Sequence, residues 1–196
     1  MLVNRLAIGL ALLTVAAAQS PARPAVGPAA KPAEPKITLD VVDRQGYEKA
    51  LAHKDHRGKV VVVDVWATWC THCIRNFKHT VEWQEKYRRR GLAVVSLSMD
   101  EPDEESRERA LEFLKKQKAT FTNLISRYGG EEEGMEAFDI DGGTLPHFKL
   151  YDRRGKLLKK FGGDPDQAVD HLEVEAEIRK ALGLPPEPAV PSRTAK

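Results

Sequence analysis

Ten consecutive residues in the first half of the chain decide its fold: Asp64-Val65-Trp66-Ala67-Thr68-Trp69-Cys70-Thr71-His72-Cys73. They continue a run of four valines, so the β-branched stretch 60–66 predicts a strand that is buried on both faces. Residues 70–90 carry apolar side chains at helical spacing, and Gly91 ends that pattern. The sequence therefore places its cysteines where a buried strand passes into a helix.

Cys70 and Cys73 are the two cysteines of the chain and lie three positions apart. A purely structural disulfide is disfavoured, because stabilisation by a crosslink grows with the loop it closes, and this loop encloses two residues. The first turn of a helix offers unpaired N–H groups and positive partial charge, which stabilise a thiolate. We therefore interpret Cys70 as the nucleophile of thiol-disulfide exchange and Cys73 as the residue that resolves a mixed disulfide.

Two further side chains belong to this motif. His72 lies between the cysteines, where an imidazolium favours the thiolate and makes the disulfide a stronger oxidant; an exposed residue at the helix start is the alternative. Asp64 interrupts an apolar strand, where an unpaired carboxylate is costly. Burial raises the pKa of such a carboxyl, which suits a proton acceptor for Cys73; a satisfied structural aspartate is the alternative.

The segment 64–73 closely resembles the active-site segment of the thioredoxin superfamily, and its Trp-Ala-Thr-Trp-Cys run is most similar to the TlpA/ResA branch of exported thioredoxin-like proteins. Phe138-Asp139-Ile140, followed by Thr144-Leu145-Pro146, resembles the segment of that family that carries a cis-proline. The resemblance implies that Pro146 is this proline and that the Leu145 backbone pairs with an extended substrate segment. The implied substrate-binding set is Trp69, Thr71, His72, Leu145 and Pro146.

The motif also departs from the family pattern. Thr71-His72 replaces the Pro-Pro or Gly-Pro of typical reductants, and its histidine resembles oxidising members of the superfamily. Asp64 resembles minimal thioredoxin, whereas many TlpA/ResA relatives carry Asn there, and His147 follows the proline where that branch usually has Thr. The resemblance therefore leaves the direction of exchange and the substrate open.

The rest of the chain alternates predicted strands and helices. Strands are predicted at 37–42, 60–66, 92–99, 121–125, 147–151 and 156–161. Helices are predicted at 45–53, 70–90, 104–117, 132–138 and 166–182, the last with Asp164 and Pro165 as N-cap and first turn. The expected class is α/β, a thioredoxin fold with a mixed central sheet flanked by helices. The resemblance implies that the helix 104–117 is the extra central element of the TlpA/ResA branch.

The two ends of the chain are predicted to lie outside the domain. Arg5 precedes 13 largely apolar residues, so 1–18 is typical of a secretory signal peptide; an uncleaved anchor is the alternative. Residues 19–36 are predicted to be a Pro/Ala-rich linker, 37–183 the thioredoxin-like domain and 184–196 a disordered tail. We therefore expect a periplasmic or otherwise exported protein.

Composition and motif together predict an enzyme that exchanges a Cys70/Cys73 dithiol-disulfide with exported protein substrates. We expect a monomer that needs no cofactor and is served by a membrane redox partner, as the resemblance implies. The net charge of +2, from 31 basic and 29 acidic residues, disfavours a nucleic-acid partner. A soft-metal module that delivers copper, with His147 as the third ligand, is the alternative. A peroxidase would need a proline shortly before a lone cysteine, which 64–69 lacks.

Overall fold

The computed structural model describes residues 36–186. The predicted signal peptide at 1–18, residues 19–35 of the predicted linker and residues 187–196 of the predicted tail lie outside the described part. Residues 184–186, the start of the predicted tail, are described, and Leu184 packs against the hydrophobic core.

The fold is built on one mixed sheet of six strands. The strands are β1 (Asp40–Val42), β2 (Val60–Trp66), β3 (Leu92–Ser98), β4 (Thr122–Ser126), β5 (His147–Tyr151) and β6 (Leu157–Phe161). Their spatial order is β1-β4-β3-β2-β5-β6. The first four strands pair in parallel, whereas β5 is antiparallel to both β2 and β6. The mixed sheet that the sequence predicted is confirmed.

Helices connect the strands and cover the sheet. In the described part they are α1 (Arg44–Leu51), α2 (Thr71–Tyr87), α3 (Glu104–Gln117), α4 (Glu132–Ala137) and α5 (His171–Leu182), with short 3-10 helices at Arg88–Arg90 and Asp141–Gly143. In the chain α3 stands between β3 and β4, where the extra central helix was expected. None of the helices within 36–186 is both long and apolar enough to cross a membrane.

The central strands β2 and β3 are buried along their whole length because both faces of the sheet are covered. Val60 and Val62 pack in a core cluster with Trp83 of α2 and with α5. Val61 and Val63, which point to the other face, belong to a larger cluster that also contains Cys70 and Cys73. Asp64 therefore enters the interior on a strand with no solvent-facing side.

The last helix starts later than the sequence predicted. We expected Asp164 and Pro165 to open a helix over 166–182, but α5 begins at His171, and its N-cap is Asp170. The Asp170 carboxylate accepts a hydrogen bond from the Leu172 N–H at 2.8 Å, whereas Asp164 accepts one from the Asp166 N–H at 3.0 Å. Both aspartates can close a turn of this kind, so local sequence did not distinguish the cap from the Asx-type turn.

Candidate active site

The two cysteines lie at the junction of β2 and α2. Cys70 is the N-cap of α2, with an extended backbone at φ −86° and ψ 97°, and Cys73 is in the first turn of the helix. Their sulfur atoms are joined in a disulfide with a Cα–Cα distance of 5.3 Å. Both side chains are buried, so the pair is a redox centre set just beneath the surface.

The Cys70 sulfur lies at the N-terminal end of α2. The Cys73 N–H donates a hydrogen bond to Cys70 Sγ at 3.2 Å, so the sulfur already occupies the position of a capping acceptor. A helix of 17 residues presents roughly half a positive charge at this end. When the disulfide is reduced, an anionic Cys70 sulfur in the same place would be stabilised by both effects.

Asp64 is fully enclosed in the structure, with 2% of its surface exposed. Burial raises the pKa of its carboxyl to about 7, while a hydrogen bond from Thr80 lowers it. The Thr80 hydroxyl donates this bond to Asp64 Oδ2 at 2.5 Å. Near neutral pH the carboxyl is therefore divided between its acid and base forms, which is the property of a residue that accepts and returns a proton.

The structure brings His72 together with the Leu145-Pro146 segment. These three residues line a groove of about 530 Å³, together with Asn76 of α2 and the irregular segment before α5. The Leu145–Pro146 peptide bond is cis. His72 and Thr71 are exposed at the start of α2, and Leu145 and Pro146 are half-buried at the groove wall. The groove therefore adjoins the start of α2, the helix whose first turn carries the cysteine motif.

Trp69 stands at the rim of the site. It is the most exposed aromatic residue next to the cysteines, with 59% of its surface accessible. A side chain at Gly130 would place its Cβ 2.8 Å from the Trp69 ring and 2.7 Å from the Met99 carbonyl oxygen. The indole therefore rests on the bare backbone of the loop between β4 and α4.

Three residues that contact the site were missed by sequence reasoning: Thr80, Gly130 and Asp100. Asp100 follows β3 and accepts hydrogen bonds from Thr68, which lies two positions before Cys70. A signal for it was present, because the carboxyl ends of neighbouring parallel strands meet at one edge of a sheet. Thr80 could have been found as a polar side chain seven positions after Cys73 on the inward face of a helix.

The copper alternative is not supported. His147 has 0% of its surface exposed, and neither of its ring nitrogens has a hydrogen-bond partner. Within residues 36–186 no three histidine, cysteine or acidic side chains converge to hold a metal ion. His147 is therefore a buried residue of β5 instead of a third ligand for the cysteine pair. Burial lowers the pKa of its imidazole to about 4.

The sheet order and a cysteine pair capping the helix after a central strand define a thioredoxin-like thiol-disulfide oxidoreductase. Residues 31–160 match the model of the AhpC/TSA family, and the chain belongs to that family. The ResA thiol-disulfide oxidoreductase of Bacillus thuringiensis is 27% identical over 139 residues, covering 68% of this chain and 69% of that protein. Its counterpart in Geobacillus thermodenitrificans is 29% identical over 133 residues, with coverages of 67% and 70%.

Solved structures agree with this assignment. A crystal structure described as a thiol:disulfide interchange protein DsbE from Chlorobium tepidum is 31% identical, with a TM-score of 0.53; the match covers 66% of this chain and 84% of that one. A thiol-disulfide oxidoreductase from Bacteroides fragilis is 21% identical, with a TM-score of 0.50 and coverages of 65% and 85%. At that identity the second likeness shows the fold alone.

Proposed function

We propose that this protein is an exported enzyme that exchanges the Cys70/Cys73 dithiol-disulfide with protein substrates through a mixed disulfide on Cys70. One observation carries the proposal: the Cys70 sulfur caps α2, accepts the Cys73 N–H and is bonded to the Cys73 sulfur. That placement prepares the first sulfur as a thiolate and the second as its resolving partner.

In one direction the exchange reduces the substrate. The Cys70 thiolate attacks one sulfur of a substrate disulfide, a new S–S bond forms to Cys70, and the other substrate sulfur leaves as a thiolate. Cys73 then gives up its proton and attacks the Cys70 sulfur, which releases the second substrate thiolate. Two electrons pass to the substrate, and the protein is left with the disulfide seen in the structure.

Asp64 is proposed to accept the proton of Cys73, directly or through a water molecule. Its pKa of about 7 makes the carboxylate form available near neutral pH and still basic enough to take a proton. Thr80 fastens this carboxyl to α2, the helix that carries Cys73. In the reverse direction the protonated carboxyl returns the proton to Cys73, and the substrate is oxidised.

Substrate binding is assigned to the groove and its rim. An extended segment of the substrate would pair with the Leu145 backbone, pass over Pro146 and place its cysteine beside Cys70. The exposed Trp69 ring would cover its apolar side chains. Thr71 and His72, both exposed at the helix start, complete the contact surface.

We propose that the enzyme acts outside the cytoplasm, because residues 1–18 have the pattern of a secretory signal peptide. A membrane redox partner would supply its electrons or oxidising equivalents, as the resemblance to the TlpA/ResA branch implies. The groove beside the cysteines is open to a protein segment, which fits substrates that are themselves proteins.

A trapping experiment tests the proposed function. In the Cys73→Ala variant the mixed disulfide on Cys70 cannot be resolved, so covalent adducts with oxidised insulin and with exported proteins should accumulate. Cys70→Ala is the matched control and should form no adducts, and both variants should lose insulin reduction. Adducts formed equally by both variants, or insulin reduction that survives the loss of Cys70, would contradict the proposal.

A further inference from the structure

A buried carboxylate holds the turn that leads into the cysteine motif. Asp100, the second residue after β3, is 1% exposed. Its two carboxylate oxygens accept the Thr68 N–H at 3.1 and 3.0 Å, and Oδ1 also accepts the Thr68 hydroxyl at 2.5 Å. Backbone and side chain of one residue are thus bound by one carboxylate, 32 positions away in the chain.

The carboxylate is satisfied by hydrogen bonds instead of a cation. Ser98 donates its hydroxyl to Asp100 Oδ2 at 2.6 Å and accepts the Asp100 N–H at 3.1 Å. Among the described residues no lysine, arginine or histidine is paired with Asp100. Since a buried anion is stable when its oxygens receive several good donors, removing the Thr68 donors would leave it poorly compensated.

What this clamp holds is the backbone that positions Cys70. Thr68 lies between Ala67, whose carbonyl oxygen accepts the Cys70 N–H at 3.1 Å, and the exposed Trp69. The neighbouring Met99 N–H donates to the Trp66 carbonyl oxygen at 2.7 Å. Two residues after β3 therefore hold the chain where β2 ends: Met99 bonds the last residue of β2, and Asp100 bonds Thr68 in the turn to Cys70.

We propose that Asp100 and Thr68 are positioning residues for the exchange reaction, which keep Cys70 at the N-cap of α2 when its disulfide is open. In the oxidised protein the bond to Cys73 itself tethers the Cys70 sulfur. In the reduced protein that tether is gone, and the hydrogen bonds to Thr68 fix the turn in its place. The inference rests on the proposed function, because it concerns the sulfur that attacks the substrate.

If Asp100 acted through its charge alone, the pKa of Cys70 would change in the opposite direction. If the carboxylate acted only as a nearby negative charge, it would oppose formation of the Cys70 thiolate. Its removal would then lower the pKa of Cys70, and Thr68 substitutions that leave the charge in place would have no effect. A positioning role predicts that loss of either partner raises that pKa, since the sulfur leaves the helix end.

The test measures alkylation of Cys70 by iodoacetamide as a function of pH. All proteins carry Cys73→Ala, so Cys70 is their single thiol, and all retain His72 and Asp64. Thr68→Val removes the hydroxyl at nearly constant shape, and we expect the apparent pKa of Cys70 to rise by about one unit. Alkylation below that pKa then slows about tenfold. Asp100→Asn should shift the pKa in the same direction.

Two matched controls separate positioning from general destabilisation. Thr68→Ser keeps the hydroxyl and should retain the parent profile. Ser98→Ala removes a hydrogen bond from the same carboxylate without touching Thr68, and its Cys70 profile should stay close to the parent. Circular dichroism checks that each variant folds. If Asp100→Asn does not fold, the comparison of Thr68→Val with Thr68→Ser tests the proposal.

Equal profiles for Thr68→Val and Thr68→Ser would overturn the proposal, and so would a lowered pKa in Asp100→Asn. Alkylation needs no protein substrate, so this outcome is distinct from failure of the proposed function, which would appear as absence of disulfide exchange in the unmodified protein.

Discussion

Thr80 of α2 donates a hydrogen bond to Asp64 of β2, with 2.5 Å between Thr80 Oγ1 and Asp64 Oδ2. In the described part of the chain no other side chain is hydrogen-bonded to this carboxyl, and no cation is paired with it. Thr80 is seven positions, or about two helical turns, after Cys73. The buried acid is thus fastened to the helix that carries both redox sulfurs.

The buried acid should make stability depend on pH. The pKa of Asp64 is raised from 3.8 to about 7 in the folded protein. The contribution of its protonated form to the free energy of unfolding is therefore fully present below about pH 4 and is lost as pH rises through 7. The loss amounts to about 4 kcal/mol, at roughly 1.4 kcal/mol per pKa unit. Urea unfolding of the disulfide form, compared with Asp64→Asn across this range, measures it. A difference that does not change with pH would contradict the predicted shift.

Thr80 should set where that transition falls. Its hydroxyl stabilises the ionised carboxylate, so Thr80→Val is expected to raise the pKa of Asp64 further and move the transition to higher pH. Thr80→Ser keeps the donor and serves as the control. If Asp64 accepts the Cys73 proton, the pH dependence of substrate release from the mixed disulfide should also move to higher pH in Thr80→Val.

His147 should destabilise the fold at neutral pH. Neither nitrogen of its buried ring has a partner, so His147→Leu is expected to raise the free energy of unfolding by about 1–2 kcal/mol. The pKa of its imidazole falls from 6.5 to about 4 on folding. The folded protein keeps this ring neutral, so the free energy of unfolding is highest above about pH 6.5 and decreases as pH falls through 4. This decrease should be absent from His147→Leu.

A second buried histidine provides the control for this prediction. His56 bonds the Ala50 carbonyl oxygen at 2.7 Å and the Thr122 hydroxyl at 3.2 Å, so His56→Leu should lower stability. Denaturant unfolding of both variants near neutral pH checks the contrast. The prediction for His147 is wrong if both substitutions destabilise equally.

Gly130 should control the position of Trp69. In Gly130→Ala the new methyl group would meet the Trp69 ring at 2.8 Å and the Met99 carbonyl oxygen at 2.7 Å, so the ring must move outward. We expect greater quenching of Trp69 fluorescence by acrylamide and a severalfold loss in insulin reduction. Because the chain has three tryptophans, the Trp69→Phe background identifies the signal. Unchanged quenching in Gly130→Ala would contradict the predicted contact.

His72 should make the cysteine pair more oxidising. An imidazolium beside Cys70 favours the thiolate and therefore the reduced form, so His72→Ala is expected to lower the potential by about 30 mV, a tenfold change in the equilibrium constant. Equilibration with glutathione measures it, and Lys78→Ala, an exposed cation further along α2, is the control. A potential unchanged by His72→Ala would show that the ring only faces solvent.

Much of this architecture could be predicted because its signals are local. The valine run over 60–66 has no polar face, and the structure has the predicted strand with the same bounds and with both faces covered. Glycine at 91 adopts φ 96°, which ends the helical region as expected. The placement of two cysteines after that strand and at the start of a helix follows from the same patterns.

The sequence by itself thus determined the strand and helix order and the cysteine motif, since side-chain periodicity and backbone preference act over a few residues. Tertiary structure alone decided that Thr80 meets Asp64 across 16 positions, that Asp100 binds Thr68 across 32, and that Trp69 rests on Gly130. It also decided which of two aspartates caps α5. These contacts depend on the packing of whole elements against one another, which local patterns do not encode.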